Sequence, residues 1–441
     1  MSSKSVLIIG AGAAGLAAAR DLSRAGCEVS VLEARDRIGG RVFTLGDADN
    51  SVPIELGAEF IHGKSPAVWD LARAANLKIQ AASDHTCYFD DGKLSRSRDF
   101  WRSLHRLMDK MESARSDLSL REFLNSLPDD PDMRRAKAMA TGYVEGFHAA
   151  DIDRVGIQGL VKANQAADSI DGDESFRFQD GYDSLMQVLR AESESYGATF
   201  HLNTIVAAVY WQNDRLEVIT ESTPERRTYA ASAVVITLPL GVLQATPKDG
   251  GILFAPELPA SKRLAIRRLA VGNVIKINLL FRERFWEDVK LWDEKGEVIS
   301  FKDAGFFHYP DAAIPTWWTQ VPLRAPLLVG WAGGPRADGL RNEGGLIDQA
   351  IDSLSLILNT STADIRGQLE ASHIHDWHGD RFSRGAYSYV PVDGLEAQEA
   401  LSQPLDHKLF FAGEATCAGH VGTVHGAIQS GQRAAREILG T

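Results

Sequence analysis

The sequence predicts an α/β fold in which a parallel sheet covered by helices is interrupted by a second, α+β part. A strand–helix–strand unit stands at the N-terminus, and apolar strands of the same texture return near residues 235 and 410. Between these pieces lie polar helical segments and aromatic-rich alternating stretches, which are typical of a mixed sheet with a helical part. A chain of 441 residues is long enough for two or three domains, each with its own core.

The N-terminal unit begins with the apolar run at residues 6–9, which predicts a short buried strand. A glycine-rich turn and an alanine-rich helix to about residue 24 follow, and residues 28–33 predict the second strand. Because strands joined by a crossover helix lie parallel, this βαβ unit predicts a parallel sheet with helices covering it.

The rest of the chain predicts a sheet domain assembled from three separated pieces. Its further elements are expected as a helix at 181–196, strands at 204–211, 216–220, 233–239, 274–281, 327–331 and 409–413, and a closing helix at 425–439. We therefore predict one domain from residues 1–82, 177–256 and 376–441, and an inserted domain from 83–176 and 257–375. Polar helical segments dominate 83–176, which is predicted to be a helical subdomain.

The composition limits the partners. The chain carries 47 Lys and Arg against 59 Asp and Glu, a net charge of −12, so neither nucleic acid nor an anionic membrane is expected as the main partner. The charge is compatible with a small cationic substrate. Cys27, Cys87 and Cys417 are odd in number and far apart, which predicts free thiols in a reducing compartment and a cytoplasmic location. No apolar run reaches the roughly 18 residues that span a bilayer.

A glycine fingerprint in the N-terminal turn predicts a dinucleotide site. Gly10 permits the tight turn, Gly12 the close approach of a pyrophosphate, and Gly15 the close packing of helix on strand. The helix N-terminus adds unpaired N–H groups and a positive dipole end. Glu33 ends the second strand 18 residues after Gly15, where a carboxylate accepts the ribose hydroxyls. Glycines that serve only a tight turn are the alternative interpretation.

NAD and FAD share this fingerprint, so the residues outside it must distinguish the two cofactors. Arg35, Gly39, Gly40 and Arg41 follow the second strand at once. There a second stretch of backbone and cations could hold a dinucleotide diphosphate.

The chain resembles the flavin-containing amine oxidase family over nearly its whole length. This family includes monoamine oxidases, polyamine oxidases, flavin histone lysine demethylases and many L-amino-acid oxidases. The resemblance rests on five blocks that occur in order: the fingerprint with residues 39–41, residues 55–58 with 61–63, residues 272–276, residues 384–389, and residues 411–416 with 422–427. It implies a Rossmann-like FAD-binding domain with an inserted α+β substrate-binding domain.

The same resemblance assigns Gly413 and Glu414 to the phosphate and ribityl side of the flavin and Val424 to its pyrimidine edge. A helix beginning near residue 423 would aim its positive end at the charge of a reduced flavin. Ordinary helix-terminus and core-strand roles are the alternatives here. The cofactor-binding residues implied are Gly10, Gly12, Gly15, Glu33, Arg35, Gly40, Arg41, Val206, Trp377, Gly413, Glu414 and Val424. Ala386 stands where monoamine oxidases carry the flavin-linking cysteine, so FAD is expected to be noncovalent.

The resemblance implies that few side chains carry the chemistry, because the flavin takes a hydride from the carbon beside the amine nitrogen. Lys276 falls where the family holds a water against flavin N5, and its apolar neighbours predict a desolvated lysine with a lowered pKa. A lysine on the wet face of a strand is the alternative. Tyr387 corresponds to one wall of the family's aromatic sandwich. Thr423 takes the place of the second tyrosine, as in polyamine oxidases and histone demethylases.

Three more side chains are candidates for contact with the substrate. His62 resembles the active-site histidine of vertebrate-type polyamine oxidases, where an imidazole accepts a hydrogen bond or a proton from the substrate. Glu59 is expected at the pocket mouth and Glu145 on the helical subdomain, and paired carboxylates suit a polycation. A buried structural histidine and solvated surface carboxylates are the alternatives. The histidines of residues 373–378 are interpreted as a strand end, so no metal site is expected.

The function implied is FAD-dependent oxidation of an amine, with a polyamine as the first choice. The imine product would hydrolyse to a carbonyl compound, and O2 would be reduced to H2O2. An L-amino-acid oxidase or another alkylamine oxidase is the nearest alternative, and a flavin-bearing binding protein with secondary catalysis is the alternative from another class. The expected partners are a small cationic amine and O2; the oligomeric state is left open.

Overall fold

The computed structural model describes residues 4–46, 52–90, 93–95, 99–212, 216–221, 226–292 and 298–440. Its helices are α1 (Ala13–Arg24), α2 (Pro66–Ala74), α3 (Asp99–Glu112), α4 (Leu120–Ser126), α5 (Pro131–Phe147), α6 (Ile157–Asp168), α7 (Asp183–Ser195), α8 (Leu240–Gln244), α9 (Ala260–Arg268), α10 (Gly334–Glu343), α11 (Leu346–Leu358), α12 (Thr362–Gln368), α13 (Leu395–Ser402) and α14 (Val424–Leu439). Short 3-10 helices lie at Pro247–Asp249, Phe285–Asp288 and Glu414–Thr416.

The strands are β1 (Ser5–Ile9), β2 (Glu28–Leu32), β3 (Thr44–Leu45), β4 (Ile54–Glu55), β5 (Ile61–His62), β6 (Ile79–Ala81), β7 (Thr86–Asp90), β8 (Lys93–Ser95), β9 (Ser175–Phe178), β10 (Thr199–His201), β11 (Val206–Tyr210), β12 (Glu217–Thr220), β13 (Thr228–Ala230), β14 (Ala233–Ile236), β15 (Leu253–Ala255), β16 (Ala270–Gly272), β17 (Val274–Phe281), β18 (Lys290–Trp292), β19 (Val298–Ser300), β20 (Phe306–His308), β21 (Thr316–Trp318), β22 (Leu327–Gly333), β23 (Leu369–Ile374), β24 (Tyr387–Tyr389) and β25 (Leu409–Phe411). Parallel and mixed sheets together with these helices confirm the predicted α/β class.

A five-stranded parallel sheet in the order β10–β2–β1–β14–β25 forms the first half of the molecule. β14 is buried at all four positions, as expected of a parallel strand covered on both faces. On one face α1, α7 and α14 share a core with the sheet, in which Leu16, Leu189 and Ile428 pack together with Val31. The strands of this sheet come from three distant stretches of the chain.

A four-stranded sheet in the order β13–β12–β11–β15 covers the opposite face. Val209 and Val218 from this sheet join a core with Ile9 and Ile236 of the parallel sheet. Helices α9 and α13 complete the core on this side, where Leu401 is fully buried. The parallel sheet is therefore the middle layer of three.

The second half is built on a seven-stranded sheet in the order β23–β17–β22–β21–β20–β7–β8. Its neighbouring strands are antiparallel except β20 and β7, which are parallel. Successive side chains of β17 point to opposite faces, so Ile275 and Ile277 enter the core beneath α10, α11 and α12. Lys276 lies on the other face.

The stretch 83–176 differs from the prediction in its first part. It begins with the hairpin β7–β8, which extends the seven-stranded sheet, and it becomes helical only from α3 onward. Cys87 and Phe89 alternate into the core, but the aromatic Tyr88 between them and the short length of the strand conceal this two-residue period. The helices α3 to α6 pack around a core of their own that includes Leu107 and Leu120. β9 crosses the predicted boundary at residue 176 and pairs with β5 and β6.

Two further predictions concern thiols and membranes. The three cysteines are free, as predicted, and Cys27 and Cys87 are buried. No helix among the described residues is long and apolar enough to cross a membrane.

The close approach of α1 and α14 yields a stability prediction. A Cβ on Gly431 would lie 2.1 Å from Ala14 O, so Gly431→Ala must push the two helices apart. We expect a loss of about 1–3 kcal/mol in the free energy of unfolding, measured by guanidinium denaturation. Gly339→Ala is the matched control, because nothing lies within 4 Å of its Cβ position in α10. The control is expected to be neutral or slightly stabilising; equal stability of both variants would contradict the packing argument.

Candidate active site

One large cavity, about 1580 Å³ in volume, brings together nearly all the residues singled out in the sequence. It begins at the carboxyl ends of β1 and β2 and reaches Lys276 on β17 and the helices α5 and α6. The predicted residues that line it are Gly10, Gly12, Glu33, Arg35, Gly40, Arg41, Glu59, His62, Glu145, Val206, Lys276, Trp377, Tyr387, Gly413, Glu414, Thr423 and Val424. Gly15 faces the protein instead, where a Cβ would lie 2.0 Å from Gly10 O.

The glycine turn has the open face and the buried carboxylate that a dinucleotide requires. Nothing lies within 4 Å of the Cβ position of Gly12, so a ligand in the cavity can approach the backbone there. Glu33 accepts hydrogen bonds from Ala11 N at 2.7 Å and Arg35 N at 2.9 Å. Burial raises the pKa of Glu33, although these donors oppose the shift. This end of the cavity fits the adenosine and diphosphate of FAD.

Arg35 and Arg41 are held by carboxylates of the chain itself. Arg35 Nη1 lies 2.7 Å from Asp380 Oδ2, and His375 Nε2 shares that oxygen at 2.8 Å. Burial opposes ionisation of Asp380, but the hydrogen bonds from His375 and Arg35 outweigh it and hold its pKa well below the usual range. Arg41 Nη1 lies 3.0 Å from Glu414 Oε1. Each arginine therefore joins the N-terminal turn to the C-terminal part of the chain.

Gly413 and Glu414 form a second turn in the cavity wall. Gly413 has a φ of +129°, which glycine adopts readily, and its N–H donates to Ser430 Oγ at 2.8 Å. Glu414 Oε2 accepts from Gly422 N at 3.0 Å. The carboxylate thus fixes the loop that leads into α14.

α14 begins at the cavity wall. Thr423 is its N-cap: Oγ1 accepts from Gly426 N at 3.0 Å and donates to His420 O at 2.7 Å. Both hydrogen bonds engage the hydroxyl of Thr423, so this side chain caps the helix. Val424, the first residue of the helix, lines the cavity, so unpaired N–H groups and a positive dipole end lie close to it.

Three more predicted residues fix the shape of the cavity. Tyr387 Oη donates to Phe147 O at 2.6 Å, at the end of α5, and burial raises the pKa of the phenol. Trp377 is buried, and its Nε1 donates to Leu56 O at 2.9 Å. Val206 lines the cavity at the start of β11.

The side chain of Lys276 is buried against a carboxylate. Lys276 Nζ lies 2.8 Å from Glu59 Oε2, and only 3% and 4% of the two side chains are exposed. Lys276 also donates to Gly57 O at 3.0 Å. The other oxygen of Glu59 accepts from Arg177 Nε at 2.8 Å and from Trp318 Nε1 at 2.9 Å. Glu59 therefore neutralises two buried cations.

This cluster differs from one expectation. Glu59 is buried in the wall of the cavity rather than exposed at its mouth, and its oxygens already have partners within the protein. Burial opposes ionisation of Glu59, but Lys276 and Arg177 outweigh this effect and lower its pKa to about 2.

His62 on β5 and Glu145 on α5 both line the cavity. His62 Nδ1 lies 3.4 Å from Ser175 Oγ, and burial lowers the pKa of the imidazole to about 4, so the ring is neutral at pH 7. A neutral imidazole can accept a proton from an ammonium group. Glu145 on α5 is half-buried; burial raises its pKa, and the charges of Arg336 and Arg121 oppose the shift.

The aromatic lining of the cavity and the partners of Glu59 are not evident from the sequence. The rings of Phe60, Phe306 and Trp318 lie 5.5–6.1 Å apart, and His308 lies parallel to Phe306 at 6.3 Å. The available signal is the concentration of rings in β20 and β21, where alternate side chains such as Phe306 and His308 share one face. Arg177 stands between two buried phenylalanines of β9, but nothing local shows that a carboxylate 118 residues away is its partner.

Comparison with known proteins gives these features a context. The family model for flavin containing amine oxidoreductases matches residues 13–439. Lysine-specific histone demethylase 1 homolog 3 of Arabidopsis thaliana is 29% identical over 505 residues, which cover 99% of this chain and 30% of that protein. Polyamine oxidase 4 of Oryza sativa subsp. japonica is 30% identical over 467 residues, which cover 99% of this chain and 88% of that protein.

A solved structure extends the comparison to the fold. Wild-type putrescine oxidase bound to putrescine matches with a TM-score of 0.81 at 22% identity, over 100% of this chain and 99% of that chain. At this level of identity the likeness shows a shared fold. The chain spans about 30% of the length of the demethylase homolog.

Replacing Glu59 by Gln is expected to destabilise the fold by about 3–5 kcal/mol, because two buried cations lose their counter-charge. The pKa of Glu59 is lowered to about 2, so its charge stabilises the folded state above about pH 4.3, and this stabilisation disappears as the pH falls toward 2. The difference in unfolding free energy between wild type and variant should therefore be smaller at pH 3 than at pH 7 in guanidinium denaturation.

Asp70→Asn is the matched control, because it removes an exposed ion pair with Arg73 on α2. We expect the control to keep the stability of the wild type at both pH values. A Glu59→Gln protein as stable as wild type at pH 7 would contradict the buried ion-pair cluster.

Proposed function

The chain belongs to the flavin containing amine oxidoreductase family, and from this we propose that it is an FAD-dependent oxidase of the C–N bond of an amine. The imine product hydrolyses to a carbonyl compound, and O2 is reduced to H2O2. The observation that carries the proposal is a single cavity that contains the dinucleotide turn at one end and Lys276, His62 and Tyr387 further in.

A bound flavin supplies the acceptor for the hydride that leaves the carbon beside the amine nitrogen. The side chains prepare the amine for that transfer. Neutral His62 takes a proton from the substrate ammonium and frees the nitrogen lone pair. Tyr387 presents a ring that orients the amine, and the aromatic lining excludes bulk water. Glu59 and Gly57 O hold the amino group of Lys276 at one place on the cavity wall, where it can fix a water molecule.

Polyamines are the first substrate class that we propose. Relatives named polyamine oxidase support this choice, and the putrescine oxidase structure has the same fold. Asp84, Asp173 and Asp311 are exposed and line the cavity, so they can attract a cationic chain before it enters. The support from charge therefore comes from these exposed carboxylates, since Glu59 is occupied by Lys276 and Arg177.

An amino-acid substrate is the second candidate. Arg336 lines the cavity and is exposed, although its Nη1 donates to Ala312 O at 2.7 Å. A guanidinium in the cavity wall suits the α-carboxylate of an L-amino acid. A flavin-bearing binding protein without substantial catalysis is the third possibility that the experiment must separate.

The experiment is a substrate panel followed by peroxide detection. We expect the oxygenated, FAD-loaded protein to form H2O2 with spermidine, spermine or putrescine and much less with L-amino acids or simple alkylamines. Product identification then shows which C–N bond is cut. Peroxide with L-amino acids alone would favour the second candidate, and the absence of peroxide with every amine would contradict an oxidase.

Lys276→Met tests the role of the lysine within the site. We expect this variant to retain FAD but to turn over, or to be reoxidised, more slowly than wild type. Asn278 occupies the same face of β17 two residues on, and Asn278→Asp serves as a comparison for general damage to the strand. Unchanged kinetics of both half-reactions in Lys276→Met would remove the role assigned to the lysine.

The linkage of the flavin gives a separate prediction. Ala386 carries no nucleophile, so acid precipitation of the holoprotein should leave the yellow FAD in the supernatant. The absorbance of supernatant and redissolved pellet measures the partition. A yellow pellet after washing would contradict noncovalent binding.

A further inference from the structure

A second, much smaller cavity lies behind the Lys276 cluster. Its volume is about 30 Å³, and Glu59 lines both this cavity and the large one. The other polar groups around it are Glu55, Arg177 and Gln320 on the inner side. Exposed Gln179, at the outer side, donates to Gln80 Oε1 at 3.3 Å. The small cavity thus runs from the buried cluster toward the surface, away from the large cavity.

The size and lining of this small cavity suit water. One water molecule needs roughly 10–15 Å³ of such volume and two to four polar partners. At about 30 Å³ the small cavity has room for at least one water, and carboxylate, guanidinium and amide groups surround it. Gln320 Nε2, 3.3 Å from Glu59 Oε1, continues the hydrogen-bonding groups from the ion pair to the cavity.

Glu55 is a buried titratable group that the proposed reaction leaves unused. Its oxygens accept from Tyr182 N at 2.6 Å and from Thr44 Oγ1 at 2.8 Å. The charged or titratable groups that act on it are Lys276, Glu59, Arg177 and the phenol of Tyr182.

Burial raises the pKa of Glu55 to about 7, against the opposing charge of Lys276. This side chain therefore gains and loses a proton near neutral pH. Glu59 is ionised at rest in the same range, so it can accept a proton and pass it on.

We propose that the small cavity holds water through which Glu55 and Glu59 exchange protons between Lys276 and the solvent. The inference rests on the proposed oxidase function. A proton leaves Lys276 Nζ, so one N–H bond breaks, and it passes along the contact with Glu59 and the cavity water to the Glu55 carboxylate, where one O–H bond forms. Glu55 returns the proton to solvent past Gln80 and Gln179. Lys276 then accepts the next proton that the substrate releases, and no electrons are transferred in these steps.

The need for this route follows from the shape of the large cavity. Lys276 is 3% exposed, and a cofactor and an amine in the large cavity would cover the face from which water reaches it. His62 takes one proton from the substrate, but burial keeps its pKa near 4, so it must pass that proton on at once. A second exit lets proton release proceed while the substrate entrance is filled.

Glu55→Gln keeps the shape of the side chain but abolishes its titration, and Glu370→Gln on β23 changes an exposed carboxylate as the matched control. We expect Glu55→Gln to lower turnover of the holoenzyme at saturating amine and pH 7 by roughly 10- to 100-fold. It should also remove the ionisation near pH 7 from the profile of the flavin reduction rate. Glu55→Ala should be partly rescued by formate, which fits the enlarged cavity, while Glu370→Gln should match wild type.

A readout that needs no turnover separates this inference from the proposed function. The raised pKa means that the folded wild type binds more protons than the unfolded chain between about pH 4.3 and 7, so Glu55 lowers stability as pH rises through that window. The thermal midpoint of Glu55→Gln, relative to that of wild type, should therefore rise as the pH increases through this window. Above the window the difference between the two midpoints should stay constant. This comparison stands even if no amine yields peroxide.

The inference would be overturned if Glu55→Gln and wild type showed the same pH dependence both of flavin reduction and of the thermal midpoint, and if formate had no effect on Glu55→Ala. If peroxide forms normally in all variants, the oxidase proposal survives and the proton route fails. If no amine yields peroxide but the midpoints follow the expected pH dependence, the oxidase proposal fails while the titrating Glu55 remains.

Discussion

A lysine buried between two sheets is stable only if an opposite charge contacts it, and in this chain Glu59 provides that charge. Lys276 comes from the seven-stranded sheet, whereas Glu59 follows β4 in the N-terminal part, so the ion pair joins the two halves across the cavity floor. Arg177 adds a second cation from β9. This three-residue cluster therefore fixes the place of the lysine on the cavity wall.

The parts of the fold that depend on local signals could be predicted from the sequence. The glycine turn, Glu33 and the apolar strands are specified by spacing and by short runs, and α1, α7 and α14 lie within a few residues of their predicted bounds. The hairpin β7–β8 could not be predicted, because Tyr88 between its inward residues hides their alternation and the strand β20, with which β7 pairs, lies more than 200 residues later. The capping role of Thr423 was equally hidden, since it depends on a loop that Glu414 holds in place.

The candidate site, like the fold, could be predicted from the sequence only in part. Which residues line the cavity followed from the motifs, but what each side chain contacts did not. Glu59 and Arg177 meet because β5, β6 and β9 form one small sheet, a pairing that no sequence window contains. The aromatic side chains of β20 and β21 converge for a similar reason. A fold shared at 22% identity therefore sets the arrangement of strands and helices, while such long-range contacts determine what each side chain of an individual chain touches.

The hydrogen bond from Tyr387 Oη to Phe147 O has a mechanical consequence. Tyr387 belongs to the short ribbon β16–β24, whereas Phe147 ends α5, a helix of the separate α3–α6 bundle. A tilt of that bundle would be transmitted directly to the ring of Tyr387 in the cavity wall, with no intervening side chain to absorb it. Sequence changes on the outer surface of α5 can in this way alter the width of the cavity without touching it.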